Sequence, residues 1–483
     1  MESMVRIAAE IIAGMHEAVP RGRQCLTAAE RECLAGLTQA LLASKPEAQE
    51  EYSRFLAAVR KDIDLPGPVL AARLRGKRIL VTGGSGCVGS ALMAQLARFS
   101  PARLVSVSRG ITQGWPRVAG AEYVQADIRD ADQLAAVFDQ VRCDLVFHVA
   151  GQRDPGLAER EVHRTVTTNV LGTANVISSA ALFKVSHVIF ASTGKALRPY
   201  SPEVYTASKR VAEWLLWQAA ARGLATCSAA RFTHVIDNSI IHARLLDWCD
   251  GGVIRLHDTG IAFYVQSALQ SAQLLLAAEA SAQPGSLRVH AISDLGWPVT
   301  LLDVALGVLG WTGSAAPIYF SGYDPGYEPA PFPGLYDPVT AGDVSPLISA
   351  FEATDAQPSW CPAVDVFPFQ VASVSALDEQ MRALADTCAA TGEPGPVRAA
   401  LDGLSWSLFD ATLSAVPHQV LTRAARLSAG YRGRLDPVHE RMQAAIDRHA
   451  VLSPDAQIGG RAGNEMAAAQ RLRYFRSGGL RDV

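Results

Sequence analysis

The sequence has no strong excess of charge of either sign: 44 Lys and Arg stand against 47 Asp and Glu, a formal net charge of −3 over 483 residues. The broad basic field with which a nucleic-acid binder gathers phosphates is missing, so nucleic acid is not an expected partner. No uninterrupted apolar run reaches the ~18 residues of a membrane helix, and no apolar core precedes a small-residue cleavage site near the N-terminus. A membrane span and secretion are therefore not expected, and a cytoplasmic location is. The eight cysteines (25, 33, 87, 143, 227, 249, 361 and 388) contain no C-x-x-C pair and no zinc-like spacing. They read as reduced thiols, with no metal site. Internal repeats are also lacking. What remains is 49% hydrophobic content, ample for a large core, on a length that suggests two or three domains.

The most informative stretch is Arg78-Ile-Leu-Val-Thr-Gly-Gly-Ser-Gly-Cys-Val-Gly-Ser90. A short apolar run meets a glycine-rich turn and then an amphipathic segment, so it reads as strand, tight loop and helix. Such a turn cradles a dinucleotide. Gly83 permits the bend, Gly86 lets backbone approach a pyrophosphate, and Gly89 lets the helix pack on the strand. Free amides at the helix start and the positive end of its dipole complete the site. Ser85, Cys87 and Val88 are the intervening candidate contacts.

Residues 1–74 read as helical: Thr27-Ala-Ala-Glu30 is a capping box, and Tyr52, Phe55, Leu56 and Val59 repeat at helical spacing. This extension is expected to pack on the main domain or make a subunit contact, which makes a homo-oligomer the expected state. From residue 78 strands alternate with helices, which predicts an α/β, doubly wound parallel sheet of Rossmann type. The predicted strands after the first are 104–109, 122–127, 144–150, 187–192 and 226–232. The main domain is expected over 75–345, with a small substrate lobe from about residue 233. A mostly helical C-terminal extension follows over 346–483, in which Phe367-Pro-Phe-Gln-Val is a loop or edge strand. From about residue 459 a tail carries Arg471, Arg473, Arg476 and Arg481.

The end of the second strand bears on the choice of cofactor. An acidic side chain there would bond the ribose hydroxyls of NAD, whereas this chain offers Ser108 and Arg109, which favours NADP while leaving NAD open. Asp127 and Ile128, closing the third strand, are placed to flank the adenine. Tyr205-Thr-Ala-Ser-Lys209 carries the chemistry. Hydride transfer from a carbinol carbon needs a group that moves the hydroxyl proton, and a phenol needs help to do so at neutral pH. Lys209 lies one helical turn after Tyr205, where its ammonium can lower the phenol pKa and bond the nicotinamide ribose. Ser192 and Thr193, at the end of the preceding strand, are candidates to bond the substrate oxygen.

With both motifs in place, residues 78 to about 345 resemble the extended short-chain dehydrogenase/reductases. More narrowly, they resemble the capsular-polysaccharide-biosynthesis branch of nucleotide-sugar 4,6-dehydratases and epimerases. The resemblance rests on Thr82–Gly89, Phe147-His-Val-Ala-Gly151, Thr168-Asn-Val-Leu-Gly-Thr173, Ser192-Thr-Gly-Lys-Ala196 and Tyr205–Lys209, with weaker echoes in Gly296–Asp303 and Gly322–Glu328. It implies that Val149, Ala150 and Gly151 meet the cofactor and that Asn169 positions backbone near Tyr205. The partner it implies is a nucleotide-activated sugar, modified by epimerisation or dehydration through a keto-sugar. In that branch the strand ends in Ser-Thr-Asp-Lys, the Asp being the acid and the Lys the base of the elimination. The base survives as Lys195, but the acid is replaced by Gly194, and loss of such a group removes a factor of ~10²–10⁴ in rate. Glu203 and Tyr200 are candidate substitutes. Arg231, and less directly Arg198, Arg244 and Arg255, are candidates for a diphosphate, and His234 stands where the branch places an amide. Two rival readings are an NADP-dependent ketoreductase on a substrate without a diphosphate, and a cofactor-binding scaffold without turnover.

Overall fold

Apolar runs that alternate with amphipathic helices need both faces of a sheet covered, and the chain meets that requirement with a nine-stranded sheet. The computed structural model describes residues 2–110, 114–327, 344–430 and 436–451. Four helices precede the sheet: α1 (Glu2–Ala18), α2 (Ala28–Ser44), α3 (Ala48–Ala57) and α4 (Gly67–Leu74). The capping box at Thr27 is formed in both directions, with the Thr27 hydroxyl accepting from the Glu30 amide and the Glu30 carboxylate accepting from the Thr27 amide.

The core then runs β1 (Arg78–Thr82), α5 (Cys87–Ala97), β2 (Arg103–Ser108), β3 (Glu122–Gln125), α6 (Ala131–Val141) and β4 (Leu145–His148). It continues through α7 (Pro155–Arg160), α8 (Val162–Val166), α9 (Gly172–Leu182), β5 (His187–Thr193), α10 (Val204–Ala221) and β6 (Thr226–Phe232). These six strands are parallel and lie in the order β6-β5-β4-β1-β2-β3. The order reverses between β1 and β4, and a crevice opens there at the carboxyl ends of the strands. The predicted strands are all present, β3 two residues and β4 three residues shorter than expected.

Beyond β6 the chain builds the lobe on β7 (His234–Val235), α11 (Ile240–Cys249), β8 (Ile254–Leu256), β9 (Ala262–Phe263) and β10 (Val265–Gln266). Helix α12 (Ala268–Ala280) and β11 (Leu287–Ile292) return to the main sheet, where β11 pairs with β6 in parallel. The chain re-enters the lobe through β12 (Val299–Thr300), α13 (Leu301–Thr312) and β13 (Ile318–Phe320). The N-terminal helices pack on this lobe. Leu34, Leu41, Tyr52 and Phe55 share an apolar cluster with Leu245, Ile254, Leu302 and Tyr319. The Arg255 guanidinium donates to the carbonyls of Arg23 and Gln24, which ties the lobe to the segment before α2.

The C-terminal part is mostly helical, as expected, and it also adds to the sheet: β14 (Gln357–Pro358) and β15 (Val364–Pro368) extend it, with β15 antiparallel to β11. Sequence pattern left this open because strands so short, both ending in proline, also read as loop. Helices α14 (Ser375–Ala390) and α15 (Pro394–Ala415) add to the main core, while α16 (His418–Ala429) and α17 (Pro437–Val451) close a further cluster around Tyr200. The tail from 459, with Arg471, Arg473, Arg476 and Arg481, lies outside the described residues, as does Glu328. Among the described residues no helix is long and apolar enough to cross a membrane.

Glu352, in the segment before β14, joins α10 to β6 by charge. Arg231 Nη1 and Nη2 lie 2.8 and 2.9 Å from its two oxygens, and Arg231 also donates to Glu213 at 3.0 and 2.9 Å. Arg210 Nη1 completes the group at 3.2 Å from Glu352. Burial alone would raise the Glu352 carboxyl, but the Arg231 and Arg210 charges hold it down at about 2. Removing one member of a buried ion pair typically costs about 3–5 kcal/mol, because the partner charge is left without compensation. Glu352→Ala is therefore expected to lower the urea midpoint by a corresponding amount. A change below about 1 kcal/mol would mean that the segment does not brace the core.

Candidate active site

The site is assembled where β1, β4 and β5 end. Gly83 takes φ +73°, and a Cβ there would stand 2.8 Å from the Ala150 amide nitrogen. A Cβ on Gly89 would stand 2.0 Å from the Gly83 carbonyl oxygen, so the helix reaches the turn only without one. Gly86 is the N-cap of α5, in an extended conformation and with no side chain over the helix amides. Val149 and Ala150 are pinned to β1, their amides donating to the Thr82 carbonyl and hydroxyl. Cys87 and Val88 lie in the first turn of α5, and burial, aided by the charge of Asp237, pushes the Cys87 thiol up to about 12, with Arg153 opposing. Ser85 donates to Ser108 Oγ at 2.9 Å, so the first and second turns are joined. Arg109 is exposed beside them. Asp127 is bonded to the Arg129 guanidinium, which holds its carboxyl below the usual range against burial, with Arg109 adding to the effect. Ile128 is buried against Gly172. A cradle closed to Cβ atoms, with an uncapped helix start, fits a dinucleotide pyrophosphate.

At the end of β5 adjacent side chains point to opposite faces. Ser192 turns inward and donates to Glu213 at 2.6 Å, so it is committed to the core and is not a substrate contact. Thr193 turns to the crevice on the side of the Tyr205 phenol. Burial raises the phenol pKa, and the nearby Thr193 hydroxyl and then the charge of Arg153 oppose it. The sequence assigns the opposing charge to Lys209, but Lys209 Nζ donates to the Ala191 carbonyl at 2.7 Å and lies 4.3 Å from the Phe190 ring centre. Burial pushes this ammonium down to about 7, with Glu213 opposing.

Asn169 sits in a π-helical turn, Thr167–Leu171, and ties two segments together. Its Oδ1 accepts from the Gln152 amide at 2.7 Å, and its Nδ2 donates to Ser208 Oγ at 3.0 Å. Ser208 in turn donates to the Tyr205 carbonyl. The loop after β4 is thus held to the helix that carries Tyr205. A Cβ on Gly151 would lie 3.1 Å from Asn169 Oδ1 and 3.8 Å from Lys209 Nζ, which brings the three together.

The substrate side departs from expectation at several residues. Arg231 is fully buried between Glu213 and Glu352, so it cannot bind a diphosphate. Arg255 is occupied by the two N-terminal carbonyls. Tyr200 donates to Asp402 at 2.7 Å, in the C-terminal cluster, and does not replace the missing acid. His234 shares a hydrogen bond with Ser239 at 2.7 Å and packs 5.1 Å from the Phe263 ring, burial holding it neutral at about 4. Lys195 Nζ pairs with Glu203 at 3.2 Å and donates to the Gly326 carbonyl.

One residue escaped the motif search. Arg153 donates to the Asn238 carbonyl at 3.1 Å, and its charge acts on Tyr205, His234 and Cys87 alike, which places a cation between the cradle and the phenol. Its position two residues beyond Gly151, after β4, was the available signal. Arg244 lies nearby, 3.5 Å from Asp154.

The family described as "Polysaccharide biosynthesis protein" matches residues 79–327. The chain is 29% identical over 283 residues to the capsular polysaccharide biosynthesis protein CapD of Staphylococcus aureus, covering 55% of this chain and 46% of that one. It is 27% identical over 175 residues to a UDP-N-acetylglucosamine 4,6-dehydratase (inverting) of Campylobacter jejuni, covering 35% and 51%. The chain therefore spans about half the length of these curated relatives. Among solved structures, Pen from Bacillus thuringiensis shares the fold, with a TM-score of 0.50 at 22% identity, over 61% of this chain and 89% of that one.

The two helix-start glycines are expected to fail differently. A Cβ on Gly86 meets only the Gly83 carbonyl, at 3.4 Å. Gly86→Ala should therefore keep wild-type melting while losing at least about tenfold in dinucleotide affinity. Gly89→Ala should lower melting as well, and equal melting of the two variants would contradict the packing described. Stability should also depend on acid. Burial is the leading cause that holds His148, His187, His234 and His290 at about 3, 3, 4 and 4. Unfolded, each takes a proton near pH 6.5. Their contribution is full above that value and falls as pH drops toward the folded values, by up to about 1.4 kcal/mol per pH unit for each histidine. His148→Gln, measured by urea midpoints at pH 7 and pH 5, should flatten that decline by about one proton; an unchanged slope would refute it.

Proposed function

The chain belongs to the polysaccharide biosynthesis protein family, and from that premise we propose that it is an NADP-dependent enzyme that modifies a nucleotide-activated sugar through a transient ketone. One observation carries this reading: the buried Tyr205 phenol lies beside Thr193, next to a dinucleotide cradle whose Gly83 and Gly89 admit no Cβ. A nicotinamide dinucleotide bound in that cradle supplies a hydride acceptor that can return the hydride within one cycle. Thr193 orients the substrate oxygen, and the Tyr205 oxygen takes the hydroxyl proton and gives it back. Lys209, near neutrality by virtue of its burial, can hold or release a proton at Nζ next to Gly151. Ser85, Ser108 and Arg109 favour a ribose 2′-phosphate, since Asp127 is already bonded to Arg129 and repels it less. Arg153 and Arg244 are cations available for a substrate diphosphate, at the mouth between cradle and lobe.

The test begins by denaturing the purified protein and identifying any released nucleotide by mass. Intact protein is then incubated with UDP-, GDP- and dTDP-sugars without added cofactor. NADP release and an altered sugar are expected. Tyr205→Phe should lower turnover by a factor of ~10²–10⁴ without loss of bound cofactor, and Arg109→Ala should cut the preference for NADP over NAD about tenfold, or 1.4 kcal/mol. Turnover that needs external NADPH would favour the ketoreductase, and a function indifferent to Tyr205→Phe would favour the scaffold.

A further inference from the structure

Gly194 and Lys195 stand where the resembling branch places the acid and base of an elimination, and the structure surrounds both positions in a way that opposes that chemistry. A Cβ on Gly194 would lie 2.7 Å from Leu347 Cδ2 and 3.3 Å from the Phe232 carbonyl oxygen. Leu347 is held in place on its own backbone. Its amide donates to Ser345 Oγ, and its carbonyl accepts from the buried Arg231 at 3.2 Å. The space of an acid is thus taken by an apolar side chain whose backbone is anchored to the core. Of the two candidate substitutes, Tyr200 is spent on Asp402, and Glu203 is bonded to Lys195 and Thr206.

Lys195 is constrained from three sides. Glu203 Oε2 lies 3.2 Å from its Nζ, the Gly326 carbonyl lies at 3.3 Å, and the Tyr327 ring centre lies at 5.7 Å. Glu203 is itself buried and accepts from Thr206 Oγ1 at 3.1 Å, so the carboxylate is fixed against the lysine. A base must reach the substrate C–H with its nitrogen, and Nζ is here engaged by a carboxylate and a carbonyl.

We infer that this chain keeps the hydroxyl groups of its sugar: Leu347 leaves no room for an acid at position 194, Glu203 and the Gly326 carbonyl occupy Lys195 Nζ, and the product is an epimer at the oxidised carbon rather than a dehydrated sugar. The inference rests on the ketone chemistry proposed above and narrows its outcome. Composition is conserved. One C–H and one O–H bond of the carbinol break and the same two re-form, the hydride returning to the opposite face and the proton coming back from the Tyr205 oxygen, so no water leaves and no outside reductant is needed. Glu203 acts through Lys195 and is a positioning residue.

Two measurements test this, one of them independent of turnover. In the first, Lys195 of the full chain is treated with acetic anhydride across a pH series, and its labelling is followed by mass spectrometry against the exposed Lys77 and Lys184. Wild-type Lys195 should lag behind those lysines, and Glu203→Gln should label it several-fold faster while Lys77 and Lys184 are unchanged. Equal labelling of Lys195 in both proteins would overturn the proposed role of Glu203, whatever the substrate. In the second, the sugar panel is run in deuterium oxide. A product of unchanged composition, without solvent deuterium on the carbon beside the carbinol, is expected; a product lighter by one water, or carrying that deuterium, would overturn the inference while leaving the ketone reading intact. Failure of a sugar deuterated at its carbinol carbon to exchange that label between faces, in a protein that still binds dinucleotide, would instead count against the ketone reading and against the inference with it.

Discussion

Glu213 and Arg231, both without solvent exposure, and Glu352 and Arg210, nearly so, form a charged knot beneath the crevice. Such a knot adds little net stability over an apolar packing of the same volume, yet losing any one member is costly. Its value is positional. Glu213 and Arg210 come from the helix of Tyr205 and Lys209, Arg231 comes from β6, Glu352 comes from the segment leading to β14, and Ser192 at the end of β5 bonds Glu213 as well. The helix of Tyr205 and Lys209 is thereby held against two central strands and the C-terminal segment at once. Glu213 also opposes the effect of burial at Lys209, so the same knot reaches the site electrostatically.

A second set of polar ties fixes the other side of the crevice. The neutral His148 bridges Thr82 on β1 and Thr173 on α9, at 2.7 and 2.9 Å. Asn169, one turn before Thr173, fastens the loop after β4 to Ser208 on α10. These are satisfied buried groups, and their hydrogen bonds set the distance between the dinucleotide cradle and the phenol. The lobe closes the crevice from outside through the Gly326 carbonyl on Lys195, and the N-terminal helices support that lobe with one continuous apolar cluster.

Much of this was legible without coordinates. The glycine turn between strand and helix, the Tyr205–Lys209 spacing and the alternation of strands and helices carry local physics, and each predicted strand of the parallel core is present. Less legible was anything that depends on which of two neighbours turns inward. Ser192 and Thr193 are equally able to bond a substrate oxygen, and only the pleat sends one to Glu213 and the other to Tyr205. Arg231 has the charge a diphosphate needs, but its partners lie 18 and 121 residues away in sequence. Arg153 lay in a loop with no motif of its own, and the terminal proline of β15 left loop and edge strand both open.

The sequence by itself determined the fold class, the glycine turn between β1 and α5 and the shared helix of Tyr205 and Lys209, because each is written in residues close along the chain. Tertiary structure alone decided how the charges are used. Arg231 and Ser192 were drawn into the core, Arg153 was brought to the phenol, and Lys195 was joined to Glu203, since the cost of burying a charge is settled by partners that only the folded chain brings near.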